Sequence, residues 1–359
     1  NGYLIKGFAP SAEAAKVLGV EVGIVADTVA SLLHSKLTGK VQSLHQIWIV
    51  DEAGLLSAKA AYELLHRATQ ENARVILVGD TRQLSAVEAG NPFKSLQAAG
   101  MTTAYMEQSL RQRTPHLQQA VDLIAKGEVE AGLIQLEQNS CIEQLPEESE
   151  KLKLICTDYL AIPPDERDRT LVLAGTNQER LEITQQIRAA LKAEGSLGQT
   201  ATLTQLKAKD LTSVQMKYTH NFEIGDAIVP IKNYKRRGLE KGKLYQVVDK
   251  TKDTLTLKDE AGVTVTVDPL FEKAVYSQSY MEIAEGDRLK WTKNDRKLGK
   301  RNGQEFRVVN LQENTALIED QDGRQEQINL GHSHHLDYAI VSTTYSAQGK
   351  TADRVLISA

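Results

Sequence analysis

The sequence predicts an α/β protein with two parallel-sheet domains, the second interrupted by a small β unit. Three observations carry that reading. Short apolar runs alternate with helical stretches from residue 1 to about 110 and again from 113 to 215, the pattern of parallel strands joined by crossover helices. Past 220 the texture changes to short alternating runs with turn signals, and one set of residues recurs at a fixed spacing. After 336 a buried-strand pattern returns, so the β unit reads as an insertion. The domains are expected at 1–112, at 113–215 plus 336–359, and at 216–335.

In chain order, Gly2 to Pro10 reads as a strand entering a loop, and Ser11 to Leu18 as a helix with Ser11 as its N-cap. Ile47 to Val50 and Val75 to Val78 are apolar enough for buried strands, with a helix from Ala58 to Thr69 between them. Gln118 to Ala125 reads as helix, Glu143 to Glu150 as an exposed acidic connector, Thr170 to Ala174 as a strand and Gln178 to Lys192 as the helix after it. Turns are expected at Asp259-Glu260-Ala261-Gly262 and at Asp322-Gly323. Between them runs a repeat: Gly225-Asp226, Lys232-Asn233, Gly238, Gly242 and Val247-Val248 recur 61 positions later as Gly286-Asp287, Lys293-Asn294, Gly299, Gly303 and Val308-Val309. Tyr245 corresponds to Phe306, and Lys235 and Arg236 to Arg296 and Lys297. The region is therefore expected to be two copies of one small barrel in tandem. Tyr338 to Val341 and Arg354 to Ile357 read as strands of the resumed α/β domain.

With 359 residues, 41% hydrophobic and 43 basic against 47 acidic side chains, the chain is globular; disorder and fibre architectures are excluded. A net charge of −4 gives no global attraction for polyanions, so a nucleic-acid site must rest on local clusters. No apolar run approaches the ~20 residues of a membrane helix and no secretory leader is recognisable, so no membrane insertion and a cytoplasmic setting are expected. Cys141 and Cys156 are expected to be core thiols. Asn1 opens in mid-strand, and the chain is expected to belong to a larger protein.

The chemistry concentrates at strand ends. Ile47-Trp48-Ile49-Val50-Asp51-Glu52 puts two acids at the carboxyl edge of a buried strand, where an Asp suits Mg²⁺ held through water and a Glu suits activation of an attacking water. A plain strand-to-helix turn is the alternative. The next strand ends in Gly79-Asp80-Thr81-Arg82-Gln83-Leu84, and a glutamine there suits contact with a γ-phosphate; an ordinary turn is again the alternative. In the β unit, Lys232, Lys235, Arg236, Lys293 and Arg296 cluster around Tyr234 and Trp291. Basic residues interleaved with aromatics suit a single nucleic-acid strand, where stacking contributes ~1–3 kcal/mol per base. Solvated barrel loops would look the same. His332, His334 and His335 beside Asp337 have metal-ligand chemistry, but a polar junction loop is the expected role.

Taken in order, these motifs resemble those of the RecD-like superfamily-one DNA helicases, most closely the helicase portion of MobF-type conjugative relaxases. Gly7-Phe8-Ala9-Pro10-Ser11 is similar to motif Ia, Thr28-Val29-Ala30-Ser31-Leu32-Leu33-His34 to the Thr-x-x-Ser-x-x-His element, Asp51-Glu52-Ala53 to motif II and Gly79 to Leu84 to motif III. Ser109-Leu110-Arg111-Gln112 resembles motif IV, Thr176-Asn177-Gln178-Glu179-Arg180 the strand-Asn-helix unit of the second motor domain, and Asp337 to Thr351, with Ala347-Gln348-Gly349, motif V.

The resemblance implies two RecA-like domains, a tandem SH3-like insertion, ATP and Mg²⁺ as cofactors, and single-stranded DNA as substrate. It implies catalytic roles for Asp51, Glu52, Gln83 and Arg111, with Asp80, Gln348 and Gly349 also at the nucleotide. Pro10, Ser11, Thr28, Ser31, His34, Asn177 and Thr343 would line the DNA with the basic and aromatic residues of the β unit. A type IV secretion coupling apparatus is the implied partner, and the cytoplasm of a bacterium the implied setting.

The sequence departs from the family in three places. It holds no Gly-x-x-x-x-Gly-Lys-Ser/Thr phosphate loop and no arginine-bearing motif VI, so the chain taken alone is expected to bind DNA without hydrolysing ATP. Tyr345 stands where motif V usually has histidine. Strand-cleaving relaxase chemistry is expected in a separate N-terminal domain. Two alternatives remain open: a non-catalytic module that binds single-stranded DNA or carries a secretion signal, and a RecD-like repair helicase.

Overall fold

The computed structural model describes residues 2–35, 45–83, 89–106, 112, 114–295 and 298–359, and the statements below concern those residues. It divides into two compact units, Asn1–Gln186 with Val341–Ala359, and Ile187–Ile340.

The first unit opens with β1 (Tyr3–Ala9), β2 (Val25–Thr28), β3 (His45–Val50) and β4 (Ala73–Leu77), all parallel, in the order β2-β1-β3-β4. Helices α1 (Ala12–Val22), α2 (Val29–His34) and α3 (Ala58–Gln70) join them, and α4 (Pro92–Ala98) follows. Each of the first three starts on a hydroxyl cap: Ser11 Oγ, Thr28 Oγ1 and Ser57 Oγ accept from the N–H groups of Ala14, Ser31 and Ala60, each at 3.1 Å. Along β3, Gln46, Trp48 and Val50 alternate into the core. Trp48 is fully buried, meets Phe8 edge to face at 5.3 Å, and packs in one cluster with Leu64 and Ala68 of α3 and Phe93 of α4.

Next come α5 (Pro115–Ala125), α6 (Val129–Gln138), α7 (Glu148–Ala161), α8 (Pro164–Arg167), β5 (Thr170–Ala174) and α9 (Asn177–Ala193), within which the chain passes from the first unit to the second. Two expectations need correction. The acidic stretch is only partly a connector, because Glu148 and Glu150 form the first turn of α7, where carboxylates favour the positive end of the helix dipole. Cys141 is exposed and Cys156 half-buried, so neither is a core thiol.

The second unit contains β6 (Thr200–Ala208), β7 (Ala227–Pro230), β8 (Tyr245–Lys250), β9 (Leu255–Asp259), β10 (Thr264–Val267), β11 (Lys273–Ala284), β12 (Arg288–Trp291), β13 (Glu305–Gln312), β14 (Thr315–Asp320), β15 (Gln325–Asn329), β16 (Ser333–His334) and β17 (Leu336–Tyr338). They form two sheets, β10-β9-β8-β7-β11-β6-β16 and β15-β14-β13-β12-β17. The β unit begins before residue 216, because Thr200–Ala208 pairs antiparallel with β11 along its whole length.

The 61-residue repeat is a repeat of structure. β12 lies 61 positions after β7, the bulge between Val247 and Asp249 recurs between Val308 and Asn310, and the bridge Tyr234–Leu239 recurs as Asp295–Lys300. Each copy is entered through a glycine at positive φ, Gly225 at 97° and Gly286 at 89°, whose N–H donates at 2.8 Å to Val247 and Val308 respectively. Each then buries an aspartate. Asp226 accepts from Lys209 Nζ at 2.9 Å and from the Glu223 N–H at 2.8 Å. Asp287, fully buried, accepts from Arg188 Nε and Nη2 at 2.8 and 2.7 Å and from the Ala284 N–H at 2.6 Å.

The chain then returns to the first unit as β18 (Val341–Thr343) and β19 (Arg354–Ile357), which flank β5 in a parallel sheet. The run expected as one strand at 338–341 is split: Tyr338 closes β17 and Val341 opens β18. Among the described residues no helix is long and apolar enough to cross a membrane.

Removing one partner of a buried ion pair leaves an uncompensated charge, at a cost of about 3–5 kcal/mol. Asp287→Ala is expected to lose that much unfolding free energy in urea titration. Asp226→Ala should lose less, because the Lys209 side chain is 20% exposed against 8% for Arg188. Equal losses would mean that burial of the cation does not set the cost.

Candidate functional site

Three strand ends of the first sheet meet at one rim. The Asp51 N–H donates to Phe8 O of β1 at 2.9 Å, and the Ala53 N–H donates to Val78 O, just past β4, at 2.8 Å. The second bond clasps the loop carrying Asp51 and Glu52 to the loop carrying Asp80 and Gln83. Close approach is possible because both loops carry glycine there. A Cβ on Gly79 would fall 3.0 Å from Ala53 N and 3.1 Å from Gly54 N, and one on Gly54 would fall 3.1 Å from Asp80 O. Glu52 itself sits in left-handed backbone, φ 50° and ψ 40°, which costs a non-glycine residue ~1–2 kcal/mol. The fold holds this conformation between β3 and a short 3₁₀ turn at Ala53–Leu55.

The loop after β18 comes to the same rim. Gln348 Nε2 lies 3.5 Å from Gln83 Oε1, and a Cβ on Gly349 would lie 3.6 Å from Glu52 Oε1. Gln348 Oε1 is buried and has no hydrogen-bond partner among the described residues. Four of the sequence-predicted residues, Glu52, Gln83, Gln348 and Gly349, are thus brought together. Asp51 is half-buried beside them, with Oδ1 accepting the Glu52 N–H at 2.9 Å. The Asp80 carboxylate is engaged within its own loop, accepting the Arg82 N–H at 2.9 Å. Arg111 and Leu84 lie outside the described residues.

Sequence reasoning missed Arg82. Its guanidinium donates from Nη1 to Ala125 O at 3.1 Å, tying the Gln83 loop to the carboxyl end of α5. A contact between residues 43 positions apart leaves no local signal.

Of the residues expected along DNA, Pro10 and His34 line a cavity of about 340 Å³ with Leu33, Leu56, Glu63 and Tyr345. Ser11 and Thr28 use their oxygens as helix caps, which leaves each hydroxyl hydrogen available to a phosphate oxygen. Ser31 is less suited, since its hydroxyl donates to Asp27 Oδ2 at 2.5 Å. Thr343 donates to Ser346 Oγ at 3.0 Å, and Asn177 is exposed at the start of α9.

In the β unit the structure divides the expected residues. Trp291 is corrected outright: only 5% exposed, it belongs to the core cluster of the second copy, with Lys300 Nζ 3.7 Å from its ring centre. Leu289 two positions earlier is fully buried on the same face of β12, so the ring follows the alternation of the strand. Tyr234 is half-buried, edge-on to Phe271, and its hydroxyl accepts the Glu272 N–H at 2.9 Å. Lys232 pairs with Glu272 at 2.7 Å, and Lys293 donates to Tyr276 Oη at 2.8 Å. Lys235 and Arg236 are exposed on a short 3₁₀ turn; Arg296 lies outside the described residues. Burial pushes the His335 imidazole down to about 4, helped by the Lys293 charge, and the ring packs edge-on to Tyr276. His334 Nε2 contacts Asn329 O at 2.7 Å. No group of three metal-ligating side chains forms among the described residues.

A family model described as an AAA domain matches residues 1–147. The multifunctional conjugation protein TraI of Escherichia coli K12 is 24% identical over 91% of this chain, and the conjugal transfer protein TraA of Rhizobium radiobacter 28% identical over 69%. The ATP-dependent RecD2 DNA helicase of Deinococcus radiodurans is 37% identical over 26% of the chain. The chain spans about a fifth of the length of the conjugation proteins, 21% of TraI and 22% of TraA. A solved structure of the Pif1 helicase from Bacteroides with ADP-AlF3 and single-stranded DNA aligns over 98% of this chain and 76% of its own, at 14% identity and a TM-score of 0.36. The resemblance to the helicase portion of conjugative relaxases, read from the motifs, is borne out by the sequence relatives.

Gly79→Ala forces a methyl group against two backbone nitrogens that cannot move independently of the sheet. It is expected to lower unfolding free energy by about 1–3 kcal/mol in urea titration, whereas Gly175→Ala, where φ is not positive and the added carbon meets only the flexible Glu179 Oε2 at 3.6 Å, should cost much less. Equal losses would show that the two loops do not depend on close approach.

Proposed function

We propose that this chain is the helicase and translocase segment of a conjugative relaxase, driving ATP-dependent movement along single-stranded DNA during plasmid transfer. The parallel sheets are then two RecA-like lobes, and the two β copies an SH3-like insertion. The bacterial cytoplasm is the setting, and a type IV secretion coupling apparatus the partner. The observation that carries the reading is the meeting of Glu52 and Gln83 from one sheet rim with Gln348 and Gly349 from the loop after β18. The conjugation relatives favour it over a repair helicase, since TraI and TraA match 91% and 69% of the chain and RecD2 only 26%.

The residues fit a magnesium nucleotide. A carboxylate has about four acceptor positions, so Asp51, with one oxygen holding the Glu52 N–H, keeps capacity for the waters of a cation. Bound Mg²⁺ would neutralise charge developing on the phosphates. Glu52 would take a proton from the attacking water, and Gln83 would orient that water against the γ-phosphate. The buried Gln348 Oε1 offers an acceptor for a water or ligand N–H at the same rim. Arg111 would stabilise the phosphate charge from motif IV. Pro10, Ser11, Thr28, His34 and Thr343 would follow the DNA backbone, and Lys235 and Arg236 would add a salt-dependent contact from the β unit.

The test uses the full gene product that carries this segment together with a phosphate-binding loop. Glu52→Gln is expected to lower DNA-stimulated ATP hydrolysis by about 100-fold or more with nucleotide binding retained. Hydrolysis at the unsubstituted rate would remove Glu52 from the chemistry and the motor with it.

A further inference from the structure

The α5–α6 hairpin and the stretch after it take no part in the proposed motor chemistry. α6 spends one face on α5: Gly132 is so close that a Cβ there would fall 2.5 Å from Ile124 Cγ1 and 2.9 Å from Ala120 O. Its other face is left in solvent. Val129, Leu133 and Ile134 are 49%, 47% and 46% exposed. With the half-buried Ile142 they line a groove of about 550 Å³, whose remaining lining is Glu130, Glu137 and Gln144.

The groove has a directional order. Val129, Leu133 and Glu137 stand four residues apart on one stripe of α6, and Glu130 and Ile134 on the adjacent one, so the aliphatic floor runs along the helix with carboxylates beside it. The charged side chains that line it, Glu130 and Glu137, have one sign. From Gly127 to Glu150 the chain carries seven glutamates and neither lysine nor arginine. Carboxylates at the rim repel a phosphate backbone, which separates this surface from any DNA path. A second copy packed on the same patch would bring like charges face to face. What matches both the apolar floor and the acidic rim is a helix with an aliphatic face flanked by Lys or Arg, the helix-in-groove mode of recognition.

We propose that the groove along α6, floored by Val129, Leu133 and Ile134 and rimmed by Glu130 and Glu137, docks a basic amphipathic helix of a partner protein. The groove shares no residue with the nucleotide rim, so its fate and that of the motor reading are separable.

The experiment measures fluorescence anisotropy of labelled synthetic peptides against the whole chain. The probe is an amphipathic leucine–lysine helix of about 14 residues, somewhat longer than α6 itself. One control replaces each lysine by glutamate; another keeps the leucine–lysine composition in an order without an apolar face. The proposal expects the probe to bind at least ~10-fold tighter than either control. Leu133→Ser with Ile134→Ser, and separately Glu130→Gln with Glu137→Gln, should each weaken it ~10-fold or more while thermal unfolding stays put, since all four side chains lie on the surface. The charge-only variant covers the case in which the aliphatic one fails to fold. No binding, equal binding of the glutamate control, or indifference to both pairs of substitutions would overturn the proposal. So would a concentration-dependent dimer of the chain that Leu133→Ser abolishes, which would give the groove to a second copy.

Discussion

A single backbone hydrogen bond, Ala53 N–H to Val78 O, sets the geometry on which the functional reading depends. Parallel strands end side by side, but their loops diverge unless something holds them. Here the hold is main chain to main chain, and it requires that neither Gly54 nor Gly79 carry a side chain. The consequence is that an acid from one loop and a glutamine from the next stay at one rim whatever their own rotamers do. The strained backbone of Glu52 is tolerated for the same reason, since the residues on both sides of it are fixed.

The β unit shows a second economy. Two copies of one design share glycine entry, bulge and buried aspartate, yet they differ in the cation that neutralises it. The first uses a lysine before its opening strand, and the second an arginine from α9 that makes two parallel bonds. A repeat with a conserved internal acid and a variable partner lets each copy be attached to a different element without redesign of its core. Tyr338 adds to the second attachment, with the Arg188 guanidinium 4.5 Å from its ring.

Much of this was legible in the sequence where the signal is local. Ser11 as a cap, the strand ending in Asp51-Glu52, the strand Thr170 to Ala174 and the 61-residue offset depend on neighbours or on one fixed spacing. Illegible features turn on which way a side chain faces or on distant pairing. Trp291 among basic residues looks like a stacking platform, and only its parity with Leu289 betrays a core position. Tyr234 and Lys232 are tied up by Glu272, about 40 residues away, and β6 belongs to the β unit because of a strand more than 60 residues later. Arg82 and its partner on α5 are hidden for the same reason.

The loops after β3, β4 and β18 meet at one rim, so a nucleotide bound there should touch all three. Hydrogen exchange on the whole gene product, with and without ADP–aluminium fluoride and magnesium, reads all three loops in one measurement. Slowed exchange is expected together at 51–54, 79–83 and 343–350, with the β copies unchanged at their buried aspartates. Protection confined to one of the three loops, or absent from all of them while the nucleotide is bound, would contradict it.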